Sequence, residues 1–375
     1  MVSPDRNLHV GRPNIGDREH FLRLAGEMLD RVWLTNHGPL VQQLEKRLAD
    51  YLQVAHCVVT ANGTEALELA IRALDLTGEV IVPSLTFIAT AHALHWQGIR
   101  PVFADIDPVT YNLDPAAVER AITPATSGIL AVHLYGRPGP VEALQAIADR
   151  HGLALMFDAA HAFGCTHGGR PIGNFGRCEV FSFHATKVFN TFEGGAIATN
   201  DAELAQKLRW MQNFGFAGED TVVYPGVNGK MTEICAAMGL VNLDSLDHFI
   251  AVNRANLEAY RAGLADLPGI SLIRYPETER NNYHYVILEI DAGAFGCSRD
   301  AVKDRLSRHG VLARRYFYPG CHRMEPYRTL DPQAGRSLPI TEAFCARVLA
   351  LPTGTQVETS DIAAICRIIR DTPTG

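Results

Sequence analysis

The chain has 375 residues, of which 47% are hydrophobic and 20% are charged, and its formal net charge is −7. These values are typical of a globular protein with a large core, and the length favours more than one domain. The acidic balance argues against nucleic acid and anionic membranes as partners, because both are bound through basic surfaces. The sequence shows no apolar run of transmembrane length and no signal peptide, so we expect a cytoplasmic protein.

Neither a disulfide framework nor a metal site is expected from the residue spacing. The eight cysteines are scattered without a C-x-x-C pair, so we expect reduced and mostly buried thiols. His92 and His95 are spaced i, i+3 on a predicted helix, but no third ligand accompanies them and the HExxH motif is absent. We therefore predict that the protein binds no metal.

The predicted elements begin with an amphipathic helix at residues 19–32, whose apolar side we expect to dock onto a domain or a partner subunit. From about residue 54, apolar strands alternate with helical stretches. The predicted strands cover residues 54–59, 79–83, 101–106, 128–134, 153–158, 179–183 and 195–200. This alternation indicates an α/β domain with a mainly parallel sheet covered on both faces. Ligands bind such sheets at the carboxyl ends of the strands.

After residue 243 the sequence pattern changes. A long helical stretch, LDHFIAVNRANLEAYRAGLADL, is followed by strand-like segments (ISLIRY and YHYVILEI), a helix and a terminal helix (SDIAAICRIIRD). The sequence therefore predicts a large domain at residues 1–245, which includes the N-terminal helix, and a smaller α+β domain at residues 246–375.

Chemically distinctive residues follow three of the predicted strands. Asp158, in LALMFDAAHAFG, is either a helix or turn cap or a fixed negative charge that faces a cationic ring nitrogen. Gly63 and Thr64, in TANGTEALEL, are the first residues of a predicted helix. The first amides of this helix are either capped within the chain or bind an anion. Phe87 is either a core residue or an aromatic that stacks on a planar ligand. The glycine-rich nucleotide motifs are absent.

Lys187 lies within FSFHATKVFNTFEGGA, an apolar stretch that follows another predicted strand. Its long stem either carries the ammonium to solvent or leaves it partly desolvated, and desolvation yields a neutral amine that attacks aldehydes. The Gly194-Gly195 pair permits a tight turn or a close approach of the backbone to a ligand. An amine, a carboxylate, an anion site and a stacking aromatic are together the set that pyridoxal phosphate requires.

The same segments resemble a known enzyme family. NGTEAL, VPSLTFIATAHAL, DAAHAFG, SFHATKVFNTFEGGA and GVNGKMTEICAAMGL are similar to the DegT/DnrJ/EryC1/StrS sugar aminotransferases, a branch of the aspartate aminotransferase-like (fold-type I) pyridoxal phosphate enzymes. The resemblance covers almost the whole chain. It implies the same α/β large domain and α+β C-terminal domain, and a homodimer with the active site at the subunit interface. Lys187 sets the chain apart from family members that lack this lysine and act as dehydratases.

The resemblance also implies roles for individual residues. Lys187 forms a Schiff base with the cofactor and then acts as general base and acid, and Asp158 binds the pyridinium nitrogen. The other implied cofactor contacts are Gly63, Thr64 and Ser182 at the phosphate, Phe87 on the ring, His161 near the phenolic oxygen, and Asn228 at the phosphate of the neighbouring subunit. Lys230 departs from the family, which more often has arginine there, so a bidentate contact would be lost. No role is predicted for His184.

Within the family, WLTNHGP, DPVTYNLDP and SFHATKVFNTFEGGAI are most similar to enzymes that aminate C4 of dTDP-4-keto-6-deoxy-D-glucose. We therefore expect L-glutamate as donor, and dTDP-4-amino-4,6-dideoxyglucose and 2-oxoglutarate as products. Arg315, Tyr318 and His322 are either contacts to the sugar nucleotide or solvated residues of the small domain. The alternatives are an aminotransferase for a 3-keto sugar nucleotide or a keto-cyclitol, and a non-catalytic pyridoxal phosphate-binding regulator.

Overall fold

The computed structural model describes residues 7–372, which contain short and long strands in several sheets. In this part of the chain the strands are β1 (Leu8–His9), β2 (His56–Thr60), β3 (Glu79–Pro83), β4 (Arg100–Ala104), β5 (Thr126–Val132), β6 (Ala154–Asp158), β7 (Thr166–His167), β8 (Arg170–Pro171), β9 (Cys178–Ser182), β10 (Gly195–Thr199), β11 (Ile270–Leu272), β12 (Val286–Ile290), β13 (Val311–Leu312) and β14 (Val348–Leu351).

Helices cover the sheets and account for most of the remaining regular structure. The α-helices of the same residues are α1 (Arg18–Arg31), α2 (Pro39–Leu52), α3 (Gly63–Ala73), α4 (Ile88–His95), α5 (Pro115–Ala121), α6 (Val141–His151), α7 (Ala202–Met211), α8 (Glu233–Asp244), α9 (Leu246–Gly263), α10 (Ala292–Phe295), α11 (Arg299–Arg308), α12 (Tyr327–Leu330), α13 (Pro339–Arg347) and α14 (Thr359–Arg370). Within residues 7–372 no single helix has the length and apolar composition needed to cross a bilayer, and α8 and α9, bent by 61°, reach that threshold only as a pair.

The central sheet joins seven strands in the order β2-β10-β9-β6-β5-β3-β4. Six strands run parallel to one another, whereas β10 is antiparallel to its neighbours β2 and β9. Both faces of the sheet are buried, since the adjacent residues Val58 and Val59 of β2 enter two different apolar clusters. The predicted α/β fold with a mainly parallel sheet is confirmed, and the seven predicted strands agree with the observed bounds to within two residues at each end.

The C-terminal part of the chain carries a separate antiparallel sheet with the strand order β11-β12-β14. The strands share one buried apolar cluster with Leu257 of α9 and Ile365 of α14, so these helices cover the sheet. Residues of the N-terminal segment also join this part of the molecule, because β1 pairs with β13. The predicted small α+β unit is therefore present, although the sequence pattern around EAFCARVLA did not predict β14.

The two parts of the chain are extensively connected. The apolar cluster of the C-terminal part includes Leu85 and Tyr135, which come from the large α/β part. Asp105, at the end of β4, accepts hydrogen bonds from the first amides of α13, at 3.0 Å from Ile340 and 2.9 Å from Thr341. The predicted domain boundary after Ser245 lies between α8 and α9. The division at that residue stays a prediction.

Candidate active site

A cavity of about 820 Å³ lies at the carboxyl ends of the parallel strands β2, β3, β6 and β9. One wall is formed by residues that end or follow these strands, among them Asn62, Asp158 and Ser182. The opposite wall comes from the C-terminal part and includes His284 and Phe317. The cavity therefore occupies the position at which ligands bind parallel α/β sheets.

Lys187 lines this cavity from the loop between β9 and β10. Its backbone amide donates a hydrogen bond of 2.9 Å to the carbonyl of His184, which closes a tight turn. Burial lowers the pKa of Lys187 to about 8, although the negative charge of Asp158 opposes this shift. A substantial fraction of the side chain is therefore a neutral, nucleophilic amine near pH 8.

Three buried asparagines hold the Lys187 loop in place. The side-chain amide of Asn14 donates to the carbonyl of Val188 at 3.1 Å, and that of Asn190 donates to the carbonyl of Asn14 at 2.8 Å. Asn242, on α8, donates in turn to the carbonyl of Asn190 at 2.8 Å. The Oδ1 atom of Asn14 accepts from the backbone amide of Thr355 at 3.0 Å. The loop is thus tied to three other segments of the chain, around Asn14, Asn242 and Thr355, which restricts the position of Lys187.

Asp158 is the last residue of β6, and only 5% of it is exposed. The Thr90 hydroxyl donates to its Oδ2 atom at 2.8 Å, and the Ala160 amide donates to its Oδ1 atom at 3.0 Å. Burial raises the pKa of Asp158, while these two hydrogen bonds and the charge of Lys187 oppose the increase. A buried carboxylate of this kind is stabilised by a cation, such as a protonated ring nitrogen, placed against it.

The third feature of the cavity is the N-terminus of α3. Asn62 caps the helix by accepting from the Glu65 amide at 2.8 Å, and the amides of Gly63 and Thr64 have no intrahelical acceptor. A Cβ atom on Gly63 would lie 2.8 Å from the Cβ atom of Ser182, so glycine is needed for this close packing. Gly195 is constrained similarly, because its Cβ atom would lie 2.6 Å from the Asn62 carbonyl oxygen. Free amides at a helix N-terminus, with a hydroxyl beside them, are donors of the kind that hold an anion.

Aromatic rings surround the space between Lys187 and Asp158. His161 is buried and accepts a hydrogen bond of 3.3 Å from the Tyr135 amide at Nδ1, so its proton resides on Nε2 when the ring is neutral. Burial, together with the charge of Lys187, holds the pKa of His161 well below its ordinary value. Phe317 stacks on His161 with ring centroids 5.6 Å apart. Phe87, in contrast, is 56% exposed where it borders the cavity.

The cavity brings together seven of the residues singled out in the sequence. These are Gly63, Thr64, Phe87, Asp158, His161, Ser182 and Lys187. His184, for which the sequence indicated no role, also borders the cavity, where its Nε2 atom lies 3.5 Å from Oε1 of Glu193. His92 and His95 lie elsewhere and pack against the ring of Tyr327.

Four of the predicted site residues lie outside the cavity of their own chain. Asn228 is exposed and forms a backbone bridge with Asn213. Arg315 pairs with Asp300 at 3.1 Å. Its guanidinium also lies 4.4 Å from the ring centroid of Tyr318, which is itself on the surface. The predicted roles of these residues stay predictions, and for Arg315 and Tyr318 these contacts direct the side chains to each other rather than to the cavity.

His322, the fourth of these residues, is buried in a polar cluster of its own. Its Nδ1 atom lies 2.6 Å from the Ser84 hydroxyl and its Nε2 atom 2.9 Å from Oε1 of Glu342. These contacts link the end of β3 to α13. A direct contact between His322 and a ligand in the cavity is not supported by this arrangement.

Several residues that line the cavity were not predicted from the sequence, notably Glu193, His284 and Arg314. Arg314 is the neighbour of the predicted Arg315. In an extended segment adjacent side chains point to opposite sides, so a pair of consecutive arginines indicated a basic position without showing which member faces the cavity. His284 stood in an apolar strand-like segment, where a buried structural histidine is the ordinary expectation.

The residues in the cavity fit pyridoxal phosphate. Lys187 offers an amine with a lowered pKa to the aldehyde, and the N-terminus of α3 offers amides to the phosphate. Asp158 offers a buried carboxylate to the ring nitrogen. Among the described residues there is no group of three or more histidine, cysteine or acidic side chains arranged to hold a metal ion.

Comparisons with known proteins agree with this chemistry. Residues 16–370 match the model of the DegT/DnrJ/EryC1/StrS aminotransferase family. The chain is 38% identical over 368 residues to the Escherichia coli dTDP-4-amino-4,6-dideoxy-D-glucose transaminase, an alignment that covers 97% of this chain and 98% of the relative. It is 37% identical over 365 residues to the Caulobacter vibrioides GDP-perosamine synthase, with 95% of each chain covered.

A solved structure, that of DesI in the presence of its TDP-sugar product, is 50% identical, with a TM-score of 0.94 and with 99% of this chain and 94% of that chain covered. Enzymes of this family are aminotransferases that depend on pyridoxal phosphate, so the enzyme class and the cofactor predicted from the sequence are confirmed. The chain belongs to the DegT/DnrJ/EryC1/StrS aminotransferase family.

Proposed function

We propose that the protein transfers an amino group from L-glutamate to C4 of dTDP-4-keto-6-deoxy-D-glucose, giving the 4-amino-4,6-dideoxy sugar nucleotide and 2-oxoglutarate. The observation that carries the proposal is the placement of Lys187, Asp158 and the N-terminus of α3 in one cavity. The choice of sugar rests on similarity to the E. coli transaminase and to DesI, whose names include this amino sugar and a TDP-sugar product, respectively.

Each residue of the cavity has a separate task in this reaction. Pyridoxal phosphate, when bound, supplies an electron sink that acidifies the proton on the carbon that carries the amino group. The neutral Lys187 amine would accept this proton and return it during amination of the sugar. The Asp158 carboxylate would keep the ring nitrogen protonated, and the amides of Gly63 and Thr64 with the Ser182 hydroxyl would hold the phosphate.

The volume of the cavity and a guanidinium on its wall support a large anionic substrate. Its volume of about 820 Å³ is within the range of sites that enclose ligands of this size. Arg314 adds a guanidinium to the wall contributed by the C-terminal part. A guanidinium binds phosphate and carboxylate groups through paired hydrogen bonds. This charge suits the diphosphate of a sugar nucleotide and the carboxylates of glutamate.

Incubation of the holoenzyme with L-glutamate and a panel of keto sugar nucleotides is expected to give one preferred product. NMR of that product should place the new amine at C4 of the dTDP-linked 6-deoxy sugar, with formation of an equal amount of 2-oxoglutarate. The panel should include a GDP-linked 4-keto sugar, a 3-keto sugar nucleotide and a keto-cyclitol. Preferred amination of any of these three would replace the proposed substrate, and lack of turnover with glutamate would favour a non-catalytic regulator.

We further propose that the protein is a homodimer whose subunits complete each other's active sites. The end of α1 and a loop at residues 213–228 together expose apolar side chains, namely Leu29, Val32, Trp33, Phe214, Val222 and Val223. The segment that follows α1 approaches the start of this loop, because Asn36 and Asn213 line a common cavity of about 370 Å³. A second copy of the chain is the occupant that the family resemblance implies, and burial of this surface would stabilise the dimer. Asn228 lies exposed at the end of the same loop.

A subunit-mixing experiment tests this shared site. Lys187→Ala and Asn228→Asp are each expected to be inactive, the second because a carboxylate would repel the phosphate of the neighbouring subunit. After subunit exchange at a 1:1 ratio, one site in four combines an intact Lys187 with an intact Asn228. The mixture should therefore regain about one quarter of the wild-type rate.

A mixture of Lys187→Ala with Lys187→Arg is the matched control and should regain no activity. Activity of Asn228→Asp alone at the wild-type rate, or a first mixture no more active than its components, would contradict the shared site.

The same protein is proposed to work in a reducing compartment, the cytoplasm. All eight cysteines have free thiols, and six of them are buried in the apolar clusters or beside them. Burial raises the pKa of Cys57, Cys165 and Cys178, which keeps these thiols protonated and unreactive. Free thiols are the usual state of cysteine in such compartments.

A further inference from the structure

Two buried threonine hydroxyls are connected in series to Asp158. Thr90 lies in the first turn of α4 and is fully buried, and its hydroxyl donates to Oδ2 of Asp158 at 2.8 Å. The Oγ1 atom of Thr86, a residue that is only 2% exposed, lies 2.9 Å from Oγ1 of Thr90. Hydrogen bonds therefore join three oxygen atoms, from Thr86 through Thr90 to the carboxylate.

The direction of both hydrogen bonds follows from the number of protons available. A hydroxyl has one proton, and an ionised carboxylate only accepts. Thr90 gives its proton to Asp158, so it faces Thr86 with a lone pair. The proton between the two threonines therefore belongs to Thr86, whose hydroxyl is the first donor of the series.

The backbone around Thr86 is held by the C-terminal part of the chain. A threonine hydroxyl in a helix often bonds to the carbonyl four residues earlier, which for Thr90 is the carbonyl of Thr86. Here that carbonyl accepts a hydrogen bond of 3.4 Å from the Cys321 thiol. The amide of Cys321 donates to the Ser84 carbonyl at 2.9 Å. These contacts fix the segment that contains Thr86, and the Thr86 hydroxyl is what bonds to Thr90.

A donor to Thr90 affects Asp158 even though the donor does not touch the carboxylate. Hydrogen bonds in series polarise one another, so a hydroxyl that accepts at its oxygen is a stronger donor at its proton. Both threonines are buried, so water does not replace this interaction. The series therefore stabilises the ionised form of Asp158.

We propose that Thr86 is a positioning residue for Asp158, whose hydroxyl donates to Thr90 and thereby holds the Thr90 proton on the carboxylate. Thr86 lines the cavity, but it acts through Thr90 and not through contact with a ligand. This inference rests on the role proposed above for Asp158, whose negative charge is required opposite the ring nitrogen. Thr86 serves the reaction by keeping that charge in place.

The other titratable groups around Asp158 are unchanged in the variants that test this proposal. Lys187 lies in the loop after β9, His133 directly follows β5, Tyr285 directly precedes β12, and His161 lies in the loop after β6. Burial, the largest influence, raises the pKa of Asp158. The Thr90 hydroxyl opposes this increase more strongly than the charges of Lys187 and His133 do. The pKa of Asp158 is therefore a sensitive measure of the threonine series.

Carbon-13 NMR of the full-length protein without the cofactor measures the pKa of Asp158 directly. The aspartates are labelled at the side-chain carboxyl carbon, and the signal that is missing in Asp158→Asn belongs to this residue. Thr86→Val keeps the shape of the side chain without the hydroxyl. It should raise the pKa of Asp158 by about 0.2 to 0.5 units, compared with about one unit in Thr90→Val. Thr86→Ser restores the hydroxyl and should stay within about 0.1 units of wild type.

A double-mutant cycle decides whether Thr86 acts through Thr90. In the Thr90→Val background, Thr86→Val should leave the pKa of Asp158 unchanged, because the hydroxyl that transmits its effect is already absent. An equal shift with and without the Thr90 hydroxyl would overturn the proposal, since it would assign the effect to the surroundings of the carboxylate. The absence of a shift in Thr86→Val alone would overturn it as well. Thr86→Ala takes the place of the valine variant if thermal unfolding shows that valine disturbs the fold.

Single-turnover reaction of the holoenzyme with L-glutamate supplies a second readout. The acidic decrease of the rate should move to higher pH in Thr86→Val, with little change in the concentration of glutamate needed for half-saturation. An effect confined to that concentration would assign Thr86 to binding of the donor and would contradict a positioning role. The NMR titration involves neither cofactor nor substrate, so it remains decisive for Thr86 if the proposed function is wrong.

Discussion

Replacement of Lys187 by alanine is expected to lower the single-turnover rate of amino transfer from L-glutamate by about 10³-fold or more. Among the described residues that line the cavity, Lys187 alone combines a lowered pKa with a primary amine, and the change removes it. The rate is measured by stopped-flow absorption of the holoenzyme, and the wild-type protein should also incorporate hydride at Lys187 on treatment with borohydride. Full activity in Lys187→Ala would refute the proposed function.

Two further variants test whether the loss of rate is specific to the amine at position 187. Lys187→Arg keeps the positive charge opposite Asp158, but a guanidinium stays protonated at every accessible pH, so this variant should be as inactive as the alanine variant. Lys303→Ala removes a lysine of α11 that pairs with Asp304 at 3.8 Å and lies away from the cavity, and it should retain the wild-type rate. An active arginine variant would show that charge alone is required at position 187.

Replacement of Asp158 by asparagine is expected to lower the rate by about 10²- to 10³-fold while the protein stays folded. Asparagine keeps the size of the side chain and an acceptor for the Ala160 amide, but it lacks the charge that holds the ring nitrogen protonated. The pH dependence of the rate provides an independent test of this role. Burial raises the pKa of Asp158, so acidification protonates the carboxylate and the wild-type rate should fall on the acidic side. Asp158→Asn should lack this acidic decrease.

Thr90→Val is the matched variant for Asp158. It removes the hydroxyl that donates to Oδ2 at 2.8 Å while the carboxylate remains. Loss of this hydrogen bond should raise the pKa of Asp158 and move the acidic decrease to higher pH, with only a modest loss of the maximal rate. Wild-type pH dependence in Asp158→Asn would show that another group is responsible for the acidic limb.

The sequence was most informative about the central sheet and about the residues at its carboxyl edge. Unbroken apolar runs marked each strand, and parallel strands end at one edge, so residues as distant as Gly63 and Lys187 were expected to meet. Strand direction was less accessible, because β10 has the same apolar composition as its parallel neighbours. β14 was missed since its four residues continue a helical pattern from α13 without a turn residue between them.

The direction in which a side chain faces was the hardest feature to predict. The helix predicted at residues 19–32 is observed as α1, but of its apolar residues Met28 is buried whereas Leu22, Leu29 and Val32 are exposed. Periodicity identifies an apolar face without showing whether it packs within the chain or against another copy. The orientation of Arg314 and of His284 depends likewise on tertiary contacts, and no local pattern contains that information.

The three buried asparagines around the Lys187 loop, Asn14, Asn190 and Asn242, make the position of this lysine depend on parts of the chain that are synthesised after it. Asn14 and Thr355, whose amide and hydroxyl both donate to the Asn14 Oδ1 atom, are separated by 341 positions, and Asn14 and Val188 by 174. Contacts of such sequence separation carry a loop-closure entropy that must be offset before they stabilise the fold. During synthesis the reactive lysine cannot acquire its final support before residue 355 has emerged from the ribosome. A nascent or truncated chain therefore does not yet hold its amine in the geometry of the finished protein.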